Sequence, residues 1–277
     1  MYSLNRIQII GHLTENPEVR QLPNGTSVVD LNLKSKGTFA KENGEQVILS
    51  SYHTVTVWRR MAEIVGDYCR AGSQIYVSGR IKTDSWEADN GQKRYKTKVV
   101  ADEIILLDSK QDMEPLPETS AVGGGLNQAE ALGNLTRDPE VRQTTNGRTV
   151  VNLGIATNRR WQDKATGDQK EETEFHTVVA WNEVAQEIGD KLKKGDKVYA
   201  RGRLQTRSWE TPDGEKRYAT ELIADQVLRL GAKDPELASG AAAPAVADPN
   251  DGVDQPAPAD IPEIKYESDV KPEDLPF

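Results

Sequence analysis

The sequence predicts an all-β fold: two similar barrels in tandem, each of five strands and one helix, followed by a long acidic tail. Three observations predict it. First, the chain repeats itself. HLTENPEVRQLPNGTSVVDLNL, from His12, matches NLTRDPEVRQTTNGRTVVNLGI, from Asn134, at an offset of 122. The offset becomes 123 for SYHTVTVW (from Ser51) against EFHTVVAW (from Glu174), and stays there for SGRIKTDSWE against RGRLQTRSWE. A colinear match over about 100 residues means two domains, because solenoid repeats are far shorter. Second, each copy alternates apolar and polar residues in strand fashion, broken once by helical spacing. Third, the patterning stops after Leu230.

The first strand is read from RIQIIGHL, and the second from VVDLNLK, where Val29, Leu31 and Leu33 share one face and Asp30, Asn32 and Lys34 the other. YHTVTVW gives a third. RRMAEIVGDYCRAG then shifts to helical spacing, with Met61, Ile64, Val65 and Tyr68 as its apolar residues and a stop at Gly72. In the second copy Val184, Ile188 and Leu192 do the same, ending at Gly195. QIYVSGRIKT puts Ile75, Val77 and Ile81 inward and Tyr76, Ser78, Arg80 and Lys82 outward, and RYKTKVVADEIILL supplies the fifth strand. The order β-β-β-α-β-β in about 105 residues fits an OB-fold, the five-stranded Greek-key barrel. Another small barrel or an α+β meander is the alternative.

These elements place the first domain at residues 1–108 and the second at 126–231. Residues 109–125, SKQDMEPLPETSAVGGG, read as a linker on their two prolines and three consecutive glycines. Residues 232–277, rich in Ala, Pro and Asp, hold too few apolar residues to offset ordering entropy, and a disordered tail is expected.

Charge follows the same division. The 277 residues carry 35 Lys+Arg and 44 Asp+Glu, a formal net charge of −9. Residues 232–277 hold 11 acids and 3 bases, whereas residues 1–108 carry 14 bases and 13 acids and residues 126–231 carry 17 of each. The acidity belongs to the tail, so the domains are free to bind a polyanion through locally placed cations.

Catalysis finds little support in the sequence. The single cysteine, Cys69, excludes an intramolecular disulfide framework, and three histidines, His12, His53 and His176, leave little for a metal site. Phosphate-loop, zinc-deaminase and zinc-protease motifs are absent, and Gly123–Gly125 precede no helical pattern. His53 and His176 occupy equivalent strand positions facing inward, which predicts buried, hydrogen-bonded imidazoles. Cys69 has Leu192 as its counterpart and reads as a packed thiol. MYSLNRIQIIGHL lacks a secretory pattern and no apolar run approaches a membrane span. A soluble, cytoplasmic protein without enzymatic activity, metal or cofactor is expected.

The aromatic residues say more. Tyr52 and Trp58 are six residues apart and share a strand face, as do Phe175 and Trp181, opposite the face of His53, Val55 and Val57. Trp86 and Trp209 follow the fourth strand, just past Arg80 and Lys82 in one copy and Arg201, Arg203 and Arg207 in the other. Tyr95 and Tyr218 begin the fifth strand beside Lys93/Arg94 and Lys216/Arg217. A lone Trp at a strand end is as readily a core residue. Rings repeated on one face with cations between them suit a single-stranded nucleic acid instead. Bases stack on such rings at about 1–3 kcal/mol each whatever their sequence, while Lys and Arg follow the phosphates.

From NLTRDPEVRQTTNGRTVVNLGIATNRRWQDKATGDQKEETEFHTVVAW through KLKKGDKVYARGRLQTRSWETPDGEKRYATE, the second copy resembles bacterial single-stranded DNA-binding proteins almost throughout. The segment Glu273–Phe277, Glu-Asp-Leu-Pro-Phe, resembles that family's partner-binding tip. Two such domains in one chain resemble the subgroup in which a homodimer supplies four OB-folds. The resemblance covers residues 1–108, 126–231 and roughly 269–277. It implies stacking roles for Trp161, Phe175, Trp181 and Trp209 in the second domain, and for Phe39, Tyr52, Trp58 and Trp86 in the first. Two segments depart from the family pattern: KSKGTFAKENGEQVILSS in the first domain, and the less apolar opening strand NQAEALGNL in the second.

The function expected is sequence-independent binding of single-stranded DNA in DNA replication, recombination and repair, in the cytoplasm with the nucleoid. Replication, recombination and repair proteins would be recruited through Glu273, Asp274, Leu275, Pro276 and Phe277. An acidic segment carrying an aromatic ring after proline, and a terminal carboxylate, suits a pocket that is apolar at its base and rimmed by cations. Rings and cations alone fit an RNA-binding translation or chaperone factor equally well. A nuclease or deaminase that uses OB-folds to hold its substrate is a third class, and the missing metal-ligand and general-base groupings argue against it.

Overall fold

The computed structural model describes residues 3–40, 46–87, 93–108, 125–144, 147–163, 166–189, 191–210 and 216–231. The linker up to residue 124, the tail 232–277 and its tip Glu273–Phe277 lie outside the described residues, as do the side chains of Phe39 and Trp209.

The first repeat forms β1 (Leu4–Leu13), β2 (Arg20–Gln21), β3 (Ser27–Ala40), β4 (Gln46–Trp58), α1 (Arg60–Tyr68), β5 (Gln74–Glu87) and β6 (Lys93–Leu106). The second forms β7 (Leu126–Leu135), β8 (Glu140–Gln143), β9 (Thr149–Gln162), β10 (Gln169–Trp181), α2 (Asn182–Gly189), β11 (Lys197–Glu210) and β12 (Lys216–Leu230). In the first, β1 pairs with both β3 and β5, β3 with β4, β4 in parallel with β6, and β6 with β5, which closes a ring. The second repeats this ring with β7, β9, β10, β12 and β11. Each repeat is therefore an OB-fold, as the sequence predicts. The short edge strands β2 and β8 are additional to the predicted five.

Alternation places the core. Ile7, Ile9, Val29, Leu31, Leu33, Val55, Val57, Ile75 and Val77 point into the first barrel and are fully buried or nearly so. Burying a side chain of this kind contributes about 1.5–3 kcal/mol, so these strand faces largely decide the fold. Ser78/Gly79 and Arg201/Gly202 are bulges where strands five and eleven bend to close each barrel. A Cβ on Gly79 would lie 2.2 Å from the Val100 carbonyl oxygen, and one on Gly202 2.0 Å from that of Ile223.

The helix corrects one expectation. Of the expected apolar stripe Met61, Ile64, Val65 and Tyr68, Val65 is buried and Met61 packs against the core, whereas Ile64 and Tyr68 are exposed; Ala62 is buried in their place, beside Cys69, which is buried as expected. The two stripes are offset by one residue and have the same helical spacing, so periodicity cannot separate them. Gly66 packs directly against Val19, where a Cβ would lie 2.5 Å from a Val19 methyl carbon. The helix also stops earlier than expected, because Cys69 is already extended, and Gly72, with φ +91°, turns the chain into β5. Leu192 is buried as expected but lies beyond α2.

The barrels do not stand apart. β1 pairs antiparallel with β7 from Leu4↔Leu132 to Ile10↔Leu126, making β6-β5-β1-β7-β11-β12 one continuous sheet. Ile7 faces Ala129, its own counterpart in the repeat, so a pseudo-twofold axis passes through that pair. Gly125 N–H donates to the Lys36 carbonyl at 3.0 Å, directing the chain into β7. Among the described residues, no helix is long and apolar enough to cross a membrane.

Candidate nucleic-acid interface

Two long hairpins on each barrel carry the rings. β3–β4 bears Phe39, Tyr52 and Trp58, and β5–β6 bears Trp86 and Tyr95. The parallel pairs Val55↔Val99 and Thr56↔Val100 join the hairpins, so Tyr52 and Lys96 each lie three residues before the first of these pairs. In the second barrel β9–β10 bears Trp161, Phe175 and Trp181, and β11–β12 bears Trp209 and Tyr218. Phe39 and Trp161 each lie eleven residues past the equivalent Val28 and Val150 in unbroken ladders, so they correspond. The one-residue difference between the repeats falls in the hairpin loops beyond them.

Period-2 geometry sends alternate side chains of β4 and β10 to opposite sides, and burial follows it. His53, Val55 and Val57 are buried, while Tyr52 is 59% exposed and Trp58 36%. Phe175 is 68% exposed and Trp181 39%, so the two barrels match closely. Trp86, Tyr95 and Tyr218 are also exposed. Trp161 is half-buried, with the Arg159 guanidinium 5.1 Å from its ring centre. Lys34, directly across the ladder from Tyr52, brings its ammonium to 5.8 Å from that ring. Arg159 lies two residues before Trp161 on the same strand face, a signal the sequence contained. The cross-strand partnership of Lys34 with Tyr52 needed the register.

The predicted cations divide into two groups. Arg201 and Arg203 are exposed and pair with no acid among the described residues. Arg80 is bound to Asp102 at 2.7 Å, and Arg207 to Glu221 at 2.9 Å, which raises the guanidinium pKa of Arg207 further. Lys82 is bound to Glu172 at 2.6 Å, a residue of the other barrel. Next to it the Thr83 N–H donates to Glu174 Oε2 at 3.0 Å. Burial raises the Glu174 carboxyl pKa, with Glu172 and Asp84 adding to the rise and the Thr83 N–H and Lys82 opposing it.

Behind the rings sit the two histidines. His53 Nε2 shares a 3.0 Å hydrogen bond with Ser35 Oγ, and His176 Nε2 one of 2.9 Å with Thr157 Oγ1. Burial lowers both imidazoles to a pKa of about 4, so they are neutral structural groups, as predicted. Cys69 is buried, and desolvation raises its thiol pKa, which removes thiolate character. Among the described residues, no group of His, Cys, Asp and Glu could hold a metal ion.

Tandem OB-folds with exposed rings in matching positions and cations around them define the class of an oligonucleotide-binding protein. The sequence pattern of the single-strand binding protein family matches residues 4–107 and again 126–230. The chain belongs to that family. It is 37% identical over 245 residues to a single-stranded DNA-binding protein of Thermus aquaticus, covering 88% of this chain and 90% of that protein. To the single-stranded DNA-binding protein of Deinococcus radiodurans it is 31% identical over 246 residues, covering 87% and 81% respectively. The crystal structure of the wild-type Thermus aquaticus protein superposes with a TM-score of 0.65 at 32% identity, over 84% of this chain and 96% of that one.

Proposed function

We propose that this protein binds single-stranded DNA without sequence preference, coating exposed strands in replication, recombination and repair. One observation carries the reading: Tyr52, Trp58 and Trp86 on one barrel, and Phe175 and Trp181 at equivalent places on the other, leave the core and present their rings to solvent. Exposed rings gain nothing from burial in the folded chain, and bases stacking on them would supply that gain. In this reading Phe39, Trp161 and Trp209 also stack bases, and Arg203 and Arg207 follow the phosphates. The relatives' names support DNA as the ligand.

The protein acts by binding and not by catalysis, in the cytoplasm with the nucleoid. Glu273–Phe277 recruits replication, recombination and repair proteins, reached along the Ala/Pro-rich stretch that precedes it. Two chains associate into a homodimer with four OB-folds.

The test is a titration with oligo(dT), in which Trp58, Trp86, Trp181 and Trp209 should be quenched. Trp181→Ala and Trp209→Ala should each weaken binding by about 1–3 kcal/mol. Unchanged affinity in both, with native melting behaviour, refutes the stacking role. A parallel titration with oligo(U) separates DNA from RNA preference.

A further inference from the structure

The barrels meet at two junctions, one on each side of the β1–β7 seam, and the repeat makes them formally equivalent. Their chemistry is not. At the first, β5 of the first barrel runs beside β10 of the second. There Lys82 Nζ is 2.6 Å from Glu172 Oε1, and Glu174 Oε2 accepts the Thr83 N–H at 3.0 Å. At the second junction β11 runs beside β4. The positions matching Lys82 and Thr83 are Gln205 and Thr206, and those matching Glu172 and Glu174 are Leu49 and Ser51. A shallow cleft opens here, walled by Tyr52, Thr54 and Lys98 from the first barrel and Leu204, Thr206 and Thr220 from the second. No carboxylate lines this cleft among the described residues.

A strand that occupies both barrels has to cross one of these junctions. At the first its phosphates meet the carboxylates of Glu172 and Glu174, with Asp84 close by, against the one ammonium of Lys82. That ammonium is already held by Glu172, and Lys82, Glu172 and Glu174 are half-buried, where salt screens poorly. At the second they meet the exposed Tyr52 ring with Lys34 5.8 Å away, hydroxyl groups, and Lys98, which is shared with Asp84 at 2.6 Å.

We propose that single-stranded DNA crosses between the barrels only over the β4/β11 junction, and that Lys82, Glu172 and Glu174 seal the β5/β10 junction against it. Lys82, which the sequence offers as a phosphate contact, is then a clamp between barrels. The inference rests on the reading that the aromatic faces bind a single strand.

The experiment uses the full chain and oligo(dT) over a range of salt concentrations. A Glu172→Gln/Glu174→Gln double variant removes both negative charges and releases Lys82. It should bind about threefold or more tighter at low salt. The slope of log K against log salt should steepen by about 0.7, the contribution of one further phosphate neutralised. Thr206→Glu, which puts a carboxylate into the open cleft, should weaken low-salt binding about tenfold. If Thr206→Glu fails to fold, Thr54→Glu on the facing wall makes the same test. A double variant with native melting and unaltered affinity and slope overturns the crossing, and so does a folded cleft variant that binds as tightly as wild type. A wild-type protein that does not bind oligo(dT) at all overturns the binding reading instead.

Discussion

His53 and His176 show how a single side chain ties burial to pH. Each is buried and neutral, with one ring nitrogen bound to a hydroxyl, and burial alone lowers its pKa from 6.5 to about 4. Below pH 6.5 the unfolded chain takes up protons that the folded chain refuses. Stability therefore rises with pH across this window, is complete above about 6.5, and is lost as pH falls towards 4. The shift corresponds to about 3 kcal/mol for each histidine. Urea midpoints measured from pH 7 to pH 4.5 should fall steeply, and a His53→Gln/His176→Gln variant should lose most of that slope. An equal slope in the variant would mean that other groups cause the acid sensitivity. These histidines were legible because strand parity alone decides which way a residue faces. Lys82 was not, since its parity is correct while its partner, Glu172, lies 90 residues away in another barrel.

At the scale of elements, the bulges in β5 and β11 are where the barrels turn, and both place a glycine against backbone. Gly79→Ala and Gly202→Ala would each press a methyl carbon into a carbonyl of the adjacent strand, at 2.2 and 2.0 Å. Backbone cannot swing aside as a side chain would, so each should cost about 1–3 kcal/mol, read as a lower urea midpoint with an unchanged m-value. A shift below about 0.5 kcal/mol in both would show that the bulges relax freely. The strands themselves were readable in order, since Val29, Leu31, Leu33, Ile75, Val77 and Ile81 all fall on the buried side assigned by alternation. The helix face was legible only in part: Val65 and Cys69 are buried as expected, but Ile64 and Tyr68 are exposed and Ala62 is buried, because Met61/Ile64/Tyr68 and Ala62/Val65/Cys69 share one helical spacing. The edge strands β2 and β8 are too short for any period to register. Among the rings, Tyr52, Trp58, Phe175 and Trp181 were legible from their parity, and the lack of burial in the structure bears out the face assigned to them.

At the scale of the whole molecule, the seam between β1 and β7 was invisible in the sequence, because a strand edge carries no mark of the strand it will meet. The seam has a consequence on the outer side of the six-stranded sheet. Its register lines up Ile105, Tyr76, Ile10 and Leu126 in one row across the strands, and Leu4, Leu132, Tyr199 and Leu228 in another. The pseudo-twofold interchanges the two ends of the sheet, so the face is apolar on both sides of a charged and polar middle, where Arg6 lies across from Glu130 and Gln8 across from Gln128, with Arg201 beside Glu130. Ile105 and Leu228 are exposed at the outer ends of these rows. Tyr76 and Tyr199 lie flat against the sheet, their hydroxyls bound to Gln8 and Glu130 at 2.8 and 2.7 Å. Six strands at a spacing of about 4.8 Å give a face roughly 25–30 Å wide, enough for a standard interface of about 800 Å² per partner. A self-complementary face of this kind suits an isologous contact, in which two copies pack sheet on sheet about a true twofold axis. The homodimer should therefore form through this face. Ile10→Glu/Leu132→Glu would put a carboxylate into each row while leaving both barrel cores intact. In solution at micromolar concentration the wild-type mass should be that of two chains, and the variant's that of one, with melting of the barrels little changed. A monomeric wild type, or a variant that remains dimeric, places the contact elsewhere.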